Sequence, residues 1–457
     1  MGTLFGTDGI RGVANRYPIT CEVALKTGQA VGLFVKDLGY SAVVIGKDTR
    51  ISGDMLESAI AAGVASTGIT AMMAGVIPTP GVAFLCSDIE EAGAGIVLSA
   101  SHNPYQDNGI KIFKHGGVKL SDEQEAQIEA YILNNADPPD SEVAGIISVP
   151  DSLDRYARFL LDTFPEHKRG INPETNIDKS IKKKLRLIID CSNGAASRIS
   201  KMVFNSDLFE SHFIYNSPNG ININDDCGSQ HTQDLQVLVT EQRADIGLAF
   251  DGDADRLIAV DENGCIITGD CILAICAKFL KEKNRLDNDI VVSTIMSNAG
   301  LTECLDRLGI THIKAGVGDR KVLEQMVQSQ AVLGGEDSGH MIFLNDHSTG
   351  DGMLSALRLL EVMIETGESL SSLAAVMTVY PQILKNVFVD ASRPDFTQIK
   401  PIADTIASVK GRLGTKGRVL IRYSGTQPLL RVMVEGPDQA LIELYCDQIC
   451  DSIKANI

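Results

Sequence analysis

The chain has 457 residues, 44% of them hydrophobic and 22% charged, a length that predicts about three ordinary cores of roughly 150 residues each. A net charge of −18 excludes a general nucleic-acid binder, because phosphate backbones reward Lys and Arg, but it leaves room for a small anion in a local basic pocket. No apolar run approaches the ~18 residues of a membrane span, no signal peptide is readable, and Gly6 stands where myristoylation requires Ser or Thr, so a cytoplasmic protein without a membrane partner is expected.

In chain order, "FGTDGIRG" comes first. Asp8 and Arg11 lie there among glycines, where backbone can approach a ligand; the plainer reading is a tight turn with a surface ion pair. Strand-like and helical runs then alternate. "SAVVIGKDT" (41–49) predicts a strand and "SGDMLESAIAAGVASTG" (52–68) a helix opened by Ser52. A strand (69–80), a helix from 81 and a strand (94–101) follow. The last of these runs into "SHNPYQDNGIKIF". Ser101, His102, Asn103 and Pro104 are ordinary turn chemistry, so Ser101 reads either as a turn residue or as a nucleophile. Lys111 is a basic candidate, although a lone Lys in a strand is normally a solvated face.

The strand–helix grammar recurs over 184–264 and 288–343, which indicates sheets covered by helices. After that the character changes. "KNVFVDA", "GRVLIRYS" and "LLRVMVEG", spaced by single helices, predict a small α+β domain with an antiparallel sheet. Candidate linkers are the Pro- and Asp-rich stretch 134–145, the surroundings of Arg256, and 365–381. The expected units are 1–152, 153–256, 257–368 and 369–457, the first three α/β with mixed sheets. The ten cysteines are scattered, none in Cys-x-x-Cys, and read as reduced and mostly buried.

Three stretches carry further chemistry. In "AFDGDADRLIAVDENG", Asp251, Asp253 and Asp255 fall at i, i+2 and i+4, and alternate residues of an extended chain share a face. Three converging carboxylates repel, and a hard cation such as Mg²⁺ relieves the repulsion. An EF-hand is excluded by Arg256 at the sixth position, where Gly is required; a solvated acidic turn is the plain alternative. In "GGEDSGH", Glu336 and Ser338 alternate with Asp337 and suit the vicinal hydroxyls of a sugar, a Gly-rich turn being the equal alternative. His340 alone reads as a packed or capping histidine. In "RYSGTQPLLR", Arg422, Ser424, Gly425 and Thr426 offer a guanidinium, hydroxyls and open backbone for a phosphate.

Together SASHNP, DGDADR, GGEDSGH and RYSGTQP, in this order along essentially the whole chain, resemble the α-D-phosphohexomutase superfamily. "FGTDGIRG", "STGDGMLSALRLLEVM" and "LLRVMVEG" resemble its glucosamine-phosphate branch. The resemblance implies three α/β domains around a central cleft and a C-terminal lid. It makes Ser101 a phosphoserine that, with Asp251, Asp253 and Asp255, holds one Mg²⁺. It sets Arg11, His102, Lys111 and Arg256 near that serine, Glu336, Ser338 and His340 at the sugar, and Arg422, Ser424, Gly425 and Thr426 on the non-transferred phosphate. The implied activity interconverts glucosamine 6-phosphate and glucosamine 1-phosphate through a hexose 1,6-bisphosphate, as a monomer or homodimer, and supplies precursor for amino-sugar and cell-wall synthesis. Asp337 stands where the branch commonly has Gln and other branches Met; alternation should turn it away from the sugar. Gln427 replaces a frequent Glu beside the phosphate loop. A glucose or mannose phosphate mutase is the next reading. A metal-dependent phosphatase, or a sensor that needs no nucleophile, stands further off.

Overall fold

The computed structural model describes residues 4–6, 8–134, 142–164, 184–389, 394–414, 417–423 and 429–457. These pack into two compact units, 1–296 with 311–375, and 297–310 with 376–457.

The first unit holds three mixed sheets. The first contains β1 (Phe5–Gly6), β2 (Gly9–Val13), β3 (Ala42–Lys47), β4 (Thr70–Val76), β5 (Ala92–Leu98), β6 (Asp107–Lys114), β7 (Val118–Lys119) and β8 (Ile146–Ser148). Its order is β1-β2-β6-β5-β3-β4-β8, with β7 on β6. Strands β5, β3, β4 and β8 run parallel, while β6 is antiparallel to its neighbours β5 and β2. Every residue of β5 is buried, as expected of a strand covered by helices on both faces. The second sheet contains β9 (Leu185–Asp190), β10 (Phe209–Ile214), β11 (Ile246–Phe250), β12 (Leu257–Asp261) and β13 (Ile266–Ile267), in the order β10-β9-β11-β12-β13. The third contains β14 (Ile290–Thr294), β15 (Thr311–Ala315), β16 (Leu333–Gly335) and β17 (Met341–Phe343), in the order β15-β14-β16-β17.

The boundary expected at 256/257 is therefore misplaced. It falls inside the second sheet, where Phe250 pairs with Leu257 and Ile246 with Asp261. The surroundings of Arg256 are a turn between hydrogen-bonded strands, not a linker. The third unit expected over 257–368 is also interrupted, because residues 297–310 pack with the C-terminal part. There, helix Ala299–Arg307 is capped by Asn298, whose side chain also pairs with both backbone groups of Tyr380, at 2.9 and 3.0 Å.

That second unit carries the antiparallel sheet expected of it. Strands β18 (Gln382–Phe388), β19 (Arg418–Tyr423) and β20 (Leu429–Glu435) lie in the order β18-β20-β19. Helices Lys400–Leu413 and Gln439–Asn456 set Ile402, Ile442 and Ile449 against Leu430 and Val432. None of the ten cysteines forms a disulfide; Cys265 is exposed, Cys21 half-buried and the rest buried. Among the described residues no helix is long and apolar enough to cross a membrane.

In the first unit, helix Ser152–Thr163 reaches the third sheet's helix. The Tyr156 hydroxyl donates to Asp351 at 2.8 Å, and Asp351 caps helix Gly352–Thr366. Beside it His347 is buried against Phe159, and burial pushes its imidazole down to about 4. The unfolded chain titrates near 6.5, so it takes up a proton that the folded chain refuses. Folding stability thus falls as pH drops from about 6.5 towards 4, by about 3 kcal/mol from this group. Urea unfolding of His347→Gln should show a correspondingly smaller loss between pH 7 and 4.5 than wild type. Equal losses in the two proteins would refute it.

Candidate active site

Ser101 follows β5, Asp251 follows β11 and Glu336 follows β16. In each sheet this loop joins a parallel strand to the antiparallel strand beside it. Open α/β sheets bind ligands at such carboxyl ends, so three sheets offer three equivalent loops.

The first loop aims the serine. Ser101 is fully buried with φ +54°, a left-handed conformation that costs a non-glycine residue about 1–3 kcal/mol. Its hydroxyl donates to Asp251 Oδ2 at 2.6 Å and lies 3.2 Å from His102 Nδ1. Ser99 has a structural part, taking the Ser101 N–H at 2.9 Å and donating to Asp48 at 2.6 Å. Gly252 must be glycine, since a Cβ there would stand 2.6 Å from the Ser101 carbonyl oxygen.

The second loop gathers carboxylates. One oxygen each from Asp251, Asp253 and Asp255 lie within 4.8 Å of one another, and all three residues are buried. The convergence is made by a turn with Ala254 at φ +54°, not by extended alternation as the spacing suggested. Asp253 Oδ1 and Asp255 Oδ1 are buried without a hydrogen-bond donor among the described residues. Three close carboxylates with unused oxygens fit a hard divalent cation. Burial, then the charges of Asp255 and Asp253, push Asp251 well above the ordinary carboxylate range. Burial also works against the Asp255 charge, yet Lys111, His340 and Arg256 outweigh it and hold that carboxyl well below.

Lys111 is not the solvated lysine its strand suggested. Only 2% exposed, its ammonium lies 2.7 Å from Asp253, 3.3 Å from Asp255 and 3.3 Å from Asp8. Burial opposes its charge, but these carboxylates raise its pKa. Asp8 does pair with Arg11, and it is further bound by Lys111 and Lys119, so the pair is part of the site instead of a surface contact. Burial, reinforced by the Arg256 and Arg11 charges, lowers His102 to about 4, which leaves its imidazole neutral at pH 7.

The third loop and its neighbours line a cavity of about 370 Å³ with Arg11, Arg256, Asp319, Glu336 and His340. The loop is a turn, not an extended segment. Glu336 accepts the Gly318 N–H at 3.2 Å. Ser338 Oγ is buried without a hydrogen-bond partner among the described residues. Asp337 turns away from the cavity, accepting the Asp270 N–H at 3.4 Å. His340 stands 3.6 Å from Asp255 and 3.5 Å from Asp319; burial disfavours its charge, but these acids raise its pKa.

Sequence reasoning missed Thr79, Lys119 and Asp319. The Thr79 hydroxyl donates to Asp253 at 2.6 Å, and Lys119 bridges Asp8 and Asp319. None belongs to a motif, and only tertiary approach reveals them. Arg422 is the penultimate residue of β19 in the other unit and is exposed. Ser424, Gly425 and Thr426 lie outside the described residues.

Comparison with known proteins identifies the family. Four phosphoglucomutase/phosphomannomutase family profiles match in sequence: α/β/α domain I over residues 2–138, domain II over 165–264, domain III over 268–380 and the C-terminal domain over 384–452. A phosphoglucosamine mutase of Desulforapulum autotrophicum is 56% identical, the match covering 99% of both chains. Among solved structures, a phosphoglucomutase/phosphomannomutase family protein from Burkholderia thailandensis superposes with a TM-score of 0.81 at 23% identity, over 99% of this chain and 97% of that one. The Aspergillus fumigatus N-acetylphosphoglucosamine mutase, solved with GlcNAc-6P and magnesium, gives 0.65 at 18%, over 99% and 96%. The four domains, the three loops and this full-length identity make the chain an isomerase of the phosphoglucomutase/phosphomannomutase family, the α-D-phosphohexomutases, and a member of its phosphoglucosamine mutase branch.

Proposed function

We propose that the enzyme interconverts glucosamine 6-phosphate and glucosamine 1-phosphate through a phosphoserine at Ser101. The observation that carries the chemistry is the Ser101 hydroxyl, buried on a left-handed turn and 2.6 Å from Asp251 in the three-carboxylate cluster. The substrate rests on the relatives that carry the phosphoglucosamine mutase name at 45–56% identity over their full length.

In this reading the phosphoserine P–O bond breaks as the free sugar hydroxyl takes the phosphoryl group, giving a hexose 1,6-bisphosphate. That intermediate turns end for end and returns its other phosphoryl group to Ser101. On return, the attacking Ser101 oxygen already has a proton acceptor in Asp251 Oδ2. Arg11, Arg256 and His340 surround the cavity with donors for phosphoryl oxygens. Neutral His102 adds a ring nitrogen beside Ser101 without adding charge. Glu336 and Ser338 suit sugar hydroxyls, and Arg422 with Ser424, Gly425 and Thr426 suits the resting phosphate. Asp251, Asp253, Asp255 and the serine phosphate would hold one Mg²⁺, which neutralises charge on the transferring group.

The substrate assignment is checked by specificity constants for glucosamine, glucose and mannose phosphates. Glucosamine phosphate should lead. A tenfold lead for glucose or mannose phosphate, roughly 1.4 kcal/mol in transition-state binding, would sink the amino-sugar assignment and keep the mutase.

A further inference from the structure

Arg50 follows β3, and its guanidinium is fully buried. Its Nε–H donates to Asp48 at 2.8 Å, and Asp48 also takes the Arg50 N–H at 3.0 Å. The two terminal nitrogens go to carbonyls of the serine loop and of the first residue of β6. One reaches Ser101 at 3.0 Å and Asn103 at 2.7 Å; the other reaches Pro104, and Asp107 at 3.0 Å. A guanidinium has five N–H donors, and here all are spent, three of them on the serine loop and one on Asp107, the first residue of β6. Asn224 comes from the second domain and is only half-buried. Its amide donates to the same two carbonyls, Ser101 at 2.9 Å and Asn103 at 3.0 Å.

We propose that Arg50 and Asn224 are positioning residues for phosphoryl transfer, a clamp from two domains that fixes the aim of Ser101 through the carbonyls on either side of His102. The argument is one of strain. Ser101 sits at φ +54°, a conformation that relaxes to negative φ unless its surroundings over-determine it. Relaxation rotates the peptide whose carbonyl Arg50 and Asn224 hold, and it swings Oγ off the line to Asp251. Neither residue is placed to touch the sugar, so their loss acts on transfer and not on substrate binding. Asn224 has a second consequence. It ties the serine loop to the segment 222–228, whose Gly228 N–H binds Asp190 at the end of β9 at 2.7 Å, so the nucleophile is registered against the sheet that bears the three aspartates.

The proposal rests on Ser101 being the phosphoryl carrier, and the experiment separates the two ideas. Full-length wild type, Asn224→Ala and Arg50→Lys are each mixed with glucose 1,6-bisphosphate, and intact-mass spectrometry follows both the rate and the final extent of phosphoryl uptake. Steady-state kinetics gives kcat and KM. A misplacement of about 1 Å costs on the order of 10²-fold. Asn224→Ala should therefore lose at least tenfold in uptake rate and kcat, with KM within about twofold and the final extent equal to wild type. Arg50→Lys, which cannot reach four carbonyls, should lose more. An Asn224→Ala kcat within about twofold of wild type overturns the clamp. So does a loss in kcat matched by the loss in final extent, which would mean only that less protein folds. A wild type that takes up no phosphoryl group at Ser101 overturns the phosphoserine and the clamp together.

Discussion

Ser101→Ala should lose turnover by at least about 10⁴-fold while still binding sugar phosphate, the scale seen when a nucleophile is removed from a site whose other groups remain. The reasons are local. The hydroxyl is fully buried, held at left-handed φ, and 2.6 Å from Asp251, and no other hydroxyl among the described residues stands in that position. Water is poorly placed to replace it in the proposed reaction, which returns a phosphoryl group to the same atom. Intact mass before and after exposure to a hexose 1,6-bisphosphate is the direct check. Wild type should gain one phosphoryl group and the variant none; a phosphate mass that persists in Ser101→Ala moves the nucleophile elsewhere.

Lys111→Met should cost stability on the scale of a broken buried ion pair, about 3–5 kcal/mol. The ammonium lies within 3.3 Å of Asp253, Asp255 and Asp8, and methionine fills the volume without the charge. Two buried carboxylates and the half-buried Asp8 then face one another with less to offset them. Urea unfolding at constant pH should show a lower midpoint with an unchanged slope, the mark of lost stability and not of altered compactness. Added Mg²⁺ should raise the variant's midpoint more than that of wild type, since a divalent cation at the aspartates replaces part of the missing charge. A midpoint unchanged in the variant would mean that Lys111 and its acids are effectively solvated.

The sequence carried much of this. Alternating strands and helices announced three α/β domains, and the change after residue 380 announced an antiparallel one, because each rests on local periodicity. Ser101, Asp251 and Glu336 were legible because each sits in a short motif at a strand end. What stayed hidden depends on distance in the chain. Thr79 and Asp253 are 174 residues apart, Asn224 and Ser101 are 123 apart, and Lys119 and Asp319 are 200 apart; no local pattern marks any of them. Lys111 was misleading for the same reason. A lysine in a strand looks solvated until the acids of a second domain are brought to it. The boundary at Arg256 failed because a tight antiparallel turn and a linker look alike in composition.

The three loops that follow β5, β11 and β16 have a consequence for how such an enzyme can change. Each is anchored at both ends by its own sheet, so its composition can drift while the scaffold beneath stays put. The proposed nucleophile, the acidic cluster and the proposed sugar contacts therefore sit on separately adjustable mounts. On the proposed assignment, sugar preference is tuned in the turn 336–340 while the serine and the aspartates remain untouched. Asp337, which faces the backbone of Gly269 and Asp270 instead of the cavity, is a change in that turn that leaves the proposed sugar-facing positions as they were.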